Sequence, residues 1–453
     1  MAVITNPLKK QVIQSLQTDF ADSSNNYYIG IGRSEDWNDS DTAPIAINAQ
    51  SEQRGFRDGL QSVKKVVDQS FVVPRANWSS GAIYSPYDDK QVGYPVQTYY
   101  VMNDENQVYI CLQQSKDASG NAVVSTIQPS GGTTGTPFAT ADGYIWKFLY
   151  SISAGDASKF VAANFIPVKL QGTTDSSSSA SDVEQKAVQD AAIVGQIVGY
   201  AVDSGGLGYT SPPDMVVVGA GNDSAKGFTL ISGSSVVAAE VLDSSGTLMF
   251  GSGYSRATVT VTPSDGTIPS KPAVIRPIFS TPGGMGADPR DDLRANGIMF
   301  TVKPDGTEND DFIVGNDFRQ VGLIKNIKDS AGSANFTEST GIALKKLNFS
   351  AVTTNFSPDN TILGGTSGAK ALIDKVDSSN VFFHQTDATG FISFDSGESV
   401  TETDGSGAGT LSNTPLTNPE VVTTTGDVLY IDNRAAVTRA SDQTEDIKIV
   451  IQI

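Results

Sequence analysis

Cysteine and histidine are almost missing from this chain, with one of each in 453 residues. A single thiol, Cys111, excludes an intramolecular disulfide framework and any Cys-cluster metal site. A single imidazole, His384, excludes zinc and iron centres built on two histidines. A Ser-His-Asp or Cys-His unit needs that imidazole beside its nucleophile. Cys111 lies in QVYICLQQ and His384 in VFFHQ, two strand-like runs far apart in the chain, and each reads as a packed strand residue. Cations are also scarce: 31 Lys and Arg stand against 50 Asp and Glu, a net charge of −19. Such a surface repels nucleic acid and anionic membrane, so neither is expected as a partner. No window approaches ~18 consecutive apolar residues, so no membrane span is expected. MAVITNPLKK has no apolar run after its lysines, so no secretory leader is expected either, and synthesis in a cytoplasm is.

What the chain does contain is glycine, 44 residues of it, and short β-branched runs separated by Gly, Ser, Asn and Asp. That pattern describes a mainly-β protein with many turns, and the length suits about two to four domains. Residues 7–21 read as a helix capped by Asn6, with Pro7 in its first turn and Val12, Leu16 and Phe20 on one face. A second helix is expected over 52–69, striped by Phe56, Leu60, Val63 and Val67. VQTYYVM, QVYICLQ and AVVSTI, between residues 94 and 127, read as a meander of strands. DGYIWKFLYSI (142–152) reads as a strand buried on both faces at its centre, and 319–325 as another. The last 28 residues carry a strand at 428–431 and end in strict alternation, with Ile447, Ile449, Ile451 and Ile453 on one face. That face is expected to pair near 27–33 or 142–152.

Two stretches differ in character. GTTDSSSSASD, from Gly172, reads as a flexible linker. After it, GLGYTSPPDMVVV and GSGYSRATVTVTP form a weak repeat with Tyr209 and Tyr254 at matching positions. TSGAKALI and GSGAGTLS form another, with Ala369 and Ala408 matched. The expected organisation is therefore 1–170 as the first part of a core, 171–275 as an inserted β module, 276–352 as the second core part, 353–418 as a second inserted module, and 419–453 as closing core strands. The fold class is mainly β, with two inserted small β modules.

Candidate chemistry is thin. Fifty carboxylates leave a glycosidase-type pair open, but nothing singles one out. NDENQ (103–107) and 203–214 match calcium loops poorly. Gly131-Gly132, Gly283-Gly284-Met285-Gly286 and GGTSGAK lack the strand-to-helix setting or spacing of phosphate loops and read as turns.

Five segments, in order, are similar to the gene product eight family of baseplate wedge proteins of T-even-like contractile-tailed phages. IGIGRSEDW (29–37) resembles its F/I-x-x-G-R-S-E-x-W segment. VVPRANW (72–78) resembles a Pro-Arg segment with a downstream Trp. DGYIWKFLYSI resembles D-G-Y-x-W-x-x-L-x-x-I, and DFRQVGLIKNI (317–327) is a weaker match. GDVLYIDNRAAVTRASDQTEDIKIVIQI resembles the family's C-terminus. The likeness spans 1–170, 276–350 and 419–453, and leaves out the repeat-bearing stretches. It implies a β-sandwich core with a few helices in long loops, and a non-enzymatic structural subunit of the virion tail baseplate, without cofactor or metal, made and assembled in the host cytoplasm. The implied partners are a second copy of the chain, in a homodimer, and neighbouring baseplate wedge proteins.

Arg and Trp concentrate at interfaces. Arg33, Arg75, Arg319, Arg434 and Arg439 either pair with local carboxylates or anchor contacts between subunits. The candidate interface set is Arg33, Trp37, Arg75, Trp78, Asn433, Arg434, Arg439, Asp442 and Gln443. The alternative function is a receptor- or glycan-binding tail adhesin acting through the inserted modules. It needs an exposed aromatic platform, whereas Trp37, Trp78 and Trp146 all lie in the family-like segments. A cell-wall hydrolase is the third reading.

Overall fold

A computed structural model describes residues 3–91, 98–243 and 245–453. The chain is mainly β, as its composition indicates, with antiparallel sheets and few helices. Its contacts divide it into two units. Unit one holds Met1–Ile13, Ser70–Ile298 and Gln452–Ile453; unit two holds Gln14–Gln69 and Met299–Ile451.

In unit one, strands Tyr100–Met102, Gln107–Gln113, Ile145–Ser151 and Phe138–Ala139 form a sheet in that order. The strand with Trp146 is central and buried on both faces, as its aromatic alternation implies. Trp146, Tyr144, Tyr109, Phe148 and Cys111 form its core. The expected third meander strand, AVVSTI, is not a strand: Ala122 makes only an isolated bridge to Lys116. The start of the first, up to residue 97, lies outside the described residues.

The Ser-rich linker is not wholly a linker. Ser179 caps a helix, Ala180–Asp190, by accepting from the Asp182 amide, and Val188 packs into the Trp146 core. Beyond it three strand pairs share a separate core: Ile197–Ser204 with Val274–Phe279, Asp214–Gly219 with Ala257–Thr262, and Phe228–Ser232 with Ser235–Glu240. The G-x-G-Y repeat has a physical meaning there. Both tyrosines are buried, and each hydroxyl accepts a backbone amide: Ala273 for Tyr209 at 2.8 Å and Ala225 for Tyr254 at 3.4 Å. Gly208 and Gly253, just before them, both sit at positive φ, which L side chains disfavour.

In unit two, a five-stranded antiparallel sheet has the order Thr340–Ile342, Leu60–Lys65, Tyr27–Gly32, Asp317–Lys325, Asp427–Thr438. Gly30 and Gly322 face each other on adjacent strands. A Cβ on Gly322 would lie 2.4 Å from the Phe56 ring, and one on Gly30 2.6 Å from Leu60. The glycine pair makes the slot in which Phe56 is buried among Tyr28, Leu60, Val63 and Ile324.

Phe56 comes from a helix, Gln50–Asp58, that is shorter than expected. Leu60–Lys65 is a strand. Its pairing with Tyr27–Gly32 skips Gln61, because Gly32 opposes Leu60 and Ile31 opposes Ser62. This bulge puts Leu60 and Val63 on one face, so a strand carries the three-residue spacing of a helix. The first helix, Asn6–Ala21, runs where expected. Asn6 is its first residue, however, Ile13 is its buried side chain and Val12 is exposed.

Residues 345–417 close into a six-stranded barrel around Leu347, Phe349, Ile373, Phe383 and Leu411. Its S-G-A repeat is held by glutamates. Glu398 accepts from the Thr366 and Ser367 amides, and Glu402 from those of Ser357 and Gly407.

The closing stretch splits. Asp427–Thr438 edges the sheet of Tyr27–Gly32, with Asp317–Lys325 between them. Ile447–Gln452 is a strand, but it belongs to neither the sheet of Tyr27–Gly32 nor that of Ile145–Ser151. Ile447 and Ile449 are buried and Ile453 is exposed, so the isoleucine face is covered only over its first half.

Candidate functional site

The densest buried chemistry in the chain surrounds its one histidine, in unit two. Strand Lys370–Asp377 pairs with strand Asn380–His384 and slips by one residue between Ile373 and Lys375. Asp374 is the extra residue, and a bulge re-aims a side chain. The Asp374 carboxylate is fully buried, with Oδ2 2.6 Å from His384 Nδ1. Oδ1 accepts from Ser34 Oγ at 2.9 Å and Gln61 Nε2 at 3.1 Å. On the other side of the imidazole, Nε2 stands 3.3 Å from Glu35 Oε1. Ser34 and Glu35 follow strand Tyr27–Gly32, after Arg33 turns the chain at φ 62°.

Burial alone would lower the histidine's pKa. Asp374 and Glu35 outweigh it and raise the value to about 10. Burial raises Glu35, and His384 outweighs it in turn, taking the carboxyl down to about 2. At neutral pH the ring is an imidazolium held between two carboxylates. Ser34 donates to Asp374 rather than to His384, and a doubly protonated ring has no lone pair to take a hydroxyl proton. The arrangement holds a bulged barrel strand, the sheet and the turn after it in one charge-compensated hub.

Arg319 extends the hub's acidic side. It donates to Asp41 at 2.8 Å, to Asp36 at 2.6 Å, to Asp317 at 3.2 Å and to the Ser34 carbonyl.

The expected interface residues fall into three groups. Arg33, Trp37 and Arg434 come together: the Arg33 guanidinium lies 4.0 Å over the Trp37 ring, whose Nε1 donates to the Arg434 carbonyl at 2.8 Å. Asn433 is held beside them by Glu52 and Gln320. Asp442 is exposed, and the Gln443 carbonyl accepts from Gly306. Arg439 is 2% exposed and pairs internally with Glu445 at 2.8 Å and with the carbonyls of Gly306 and Ile313. Like Arg319, it follows the local-pairing alternative. Arg75 and Trp78 lie in unit one, where Arg75 bonds Asn77 and the Ala162 carbonyl and Trp78 bonds Ser125.

Beside the hub a cavity of about 340 Å³ is lined by His384, Asp58, Lys345, Phe391 and Asn418. Among the described residues, no group of three or more His, Cys, Asp or Glu is placed to hold a metal ion, and no helix is long and apolar enough to cross a membrane. No protein-family model matches the chain, and no curated protein matches it.

Proposed function

We propose that the chain is a structural subunit of a contractile-tail baseplate wedge, joining neighbouring wedge proteins by protein–protein contacts and carrying out no catalysis. The observation that carries this reading is where the baseplate-like segments lie. Three of them, 29–37, 317–327 and the closing block, are far apart in sequence. They contribute the three consecutive strands Tyr27–Gly32, Asp317–Lys325 and Asp427–Thr438 of one sheet. Likeness that collects on one sheet is what a retained scaffold would leave. The repeat-bearing stretches keep cores of their own. A histidine locked as an imidazolium between carboxylates also favours a structural role over catalysis.

A wedge subunit is a homodimer of 47.6 kDa chains that sits against other wedge proteins in the virion. Light scattering of the purified chain, and a reconstruction of the tail of the phage that encodes it with bound antibody fragments, test both points. A dimer and label at the wedge are expected. Label at a fibre tip would replace this reading by the adhesin, and a chain absent from the particle would overturn both.

A further inference from the structure

The cavity beside His384 is built unlike the rest of unit two. Elsewhere buried carboxylates of the unit are engaged, as Asp374, Glu398 and Glu402 are by hydroxyls and backbone amides. In the cavity, the part-buried Asp58 and the exposed Lys345 and Asn418 make no side-chain hydrogen bond or ion pair among the described residues. Gln385 spends both amide hydrogens on the carbonyls of Lys370 and Ile392, at 2.9 Å each, which leaves its oxygen as an acceptor. Burial first, and then the nearby Asp387 charge, hold the Asp58 carboxyl above its ordinary range, against the weaker pull of His384, Arg54 and Lys345. At the mouth, Phe391 is 55% exposed, following Gly390 at φ 70°.

These groups select by charge. Asp58 and Lys345 line the same cavity without forming a salt bridge. An anion would meet the Asp58 carboxylate, and a cation the Lys345 ammonium and the His384 imidazolium, so neither is favoured. A neutral ring carrying both donors and acceptors satisfies both, along with the Asn418 amide and the Gln385 oxygen. Such a ring also has an apolar C–H face for the exposed phenyl of Phe391. Pockets of about 300–1,000 Å³ suit small molecules, and about 340 Å³ takes one or two sugar rings.

The geometry points to a binding site for a neutral saccharide unit in this cavity, with Phe391 as the stacking face and Asp58, Lys345 and Asn418 as hydroxyl partners. The site does not depend on the wedge reading, since a baseplate subunit and a free adhesin could each carry it.

Saturation-transfer NMR on the full chain tests it, with the methyl glycosides of glucose, galactose, N-acetylglucosamine and rhamnose as probes and glycine as a zwitterionic control. At least one glycoside is expected to receive saturation at millimolar concentration. Phe391→Ala and Asp58→Asn are each expected to weaken it about tenfold, the loss of roughly one hydrogen bond or stacking contact. Neither side chain has a hydrogen bond or salt bridge to lose among the described residues, and circular dichroism verifies that each variant keeps the native fold. Three results overturn the proposal: no glycoside receives saturation, the signal survives both substitutions, or glycine competes the sugar out.

Discussion

Replacing His384 by alanine should cost unit two about 3–5 kcal/mol, the price of breaking a buried ion pair from one side. The size follows from what stays behind. Asp374 is fully buried and would keep only two neutral donors, Ser34 Oγ and Gln61 Nε2, after losing the imidazolium 2.6 Å away. Glu35 would lose the cation 3.3 Å from its Oε1, and its Oε2 is already buried without a hydrogen bond. A cavity left by the ring would also destabilise, so the single variant does not separate the two causes. The double variant does: Asp374→Asn in the His384→Ala background removes the stranded charge but leaves the cavity. The pair should cost at least about 1.5 kcal/mol less than the sum of the singles. Hydrogen–deuterium exchange of peptides from residues 345–417, with urea unfolding, measures both. A single-variant loss below about 1 kcal/mol, as for an exposed pair, or additive singles would refute the charge-compensated hub.

The same contact fixes a pH window. His384 has a higher pKa folded than unfolded, so its contribution is complete below about pH 6.5 and is lost as pH rises through about 10. Glu35 has a depressed folded pKa, so its contribution is complete above about pH 4.5 and is lost as pH falls through about 2. The two groups share one contact and titrate together, so the effects are not summed. Unit two should be most stable between about pH 4.5 and 6.5, and the exchange protection that His384→Ala removes should fade in the parent chain above that range.

Gly322→Ala should destabilise unit two by about 1–3 kcal/mol in urea unfolding, since its Cβ would meet the Phe56 ring at 2.4 Å and the Tyr430 carbonyl at 2.9 Å. Phe56→Leu in the same chain should recover part of that loss. Arg439→Met should cost about 3–5 kcal/mol by leaving Glu445 buried and unpaired, while Arg434→Met, on a half-exposed side chain, should cost less than about 1 kcal/mol. In unit one, burial holds the Asp292 carboxyl up at about 7 against the Thr281 and Gly286 hydrogen bonds that lower it. Its carboxyl ¹³C resonance should titrate near that value. Because the folded state keeps a proton that the unfolded chain releases, unit one should lose stability as pH rises from about 4 to 7.

The class of fold was open to reading because it rests on many short β-branched runs, each pointing the same way. The Trp146 strand was readable for a further reason: Trp146, Phe148 and Tyr150 make one face of IWKFLYS wholly aromatic, and Ile145 and Leu149 make the centre of the other apolar. Individual elements failed where a single residue changed the period. Between Phe56 and Val67 the apolar spacing is that of a helix, yet Gly59 ends the helix and the bulge at Gln61 restarts the count within a strand. The start at Asp58-Gly59 was the available signal, since Gly follows the last helical residue. In the first helix the stripe of Ile13, Leu16 and Phe20 competed with that of Val12, Leu16 and Phe20. The two differ by one residue, and only tertiary contact decides between them.

The hub shows where that limit lies. His384 could be placed on an apolar strand from VFFHQ alone, and a structural role inferred. Its partners could not, because Ser34, Glu35 and Asp374 are separated from each other by up to 340 residues and are ordinary members of a chain with 50 carboxylates. The one local sign was Asp374 itself, a carboxylate between Ile373 and Lys375 in the run ALIDKV, where strict alternation would place it against its apolar neighbours. A charged residue that breaks an alternating strand must be compensated or extruded. Here the bulge turns it toward the chain's only imidazole. The same reasoning applies to Arg439. A lone arginine between a strand and a turn gave equal weight to a surface anchor and an internal pair. Glu445, six residues on and also buried, decides for the pair. What distinguishes Arg434 from Arg439 is therefore not residue type but whether a carboxylate lies within reach on the buried side. Of the closing stretch's two arginines, Arg434 is the one left half-exposed, beside Trp37 and Arg33.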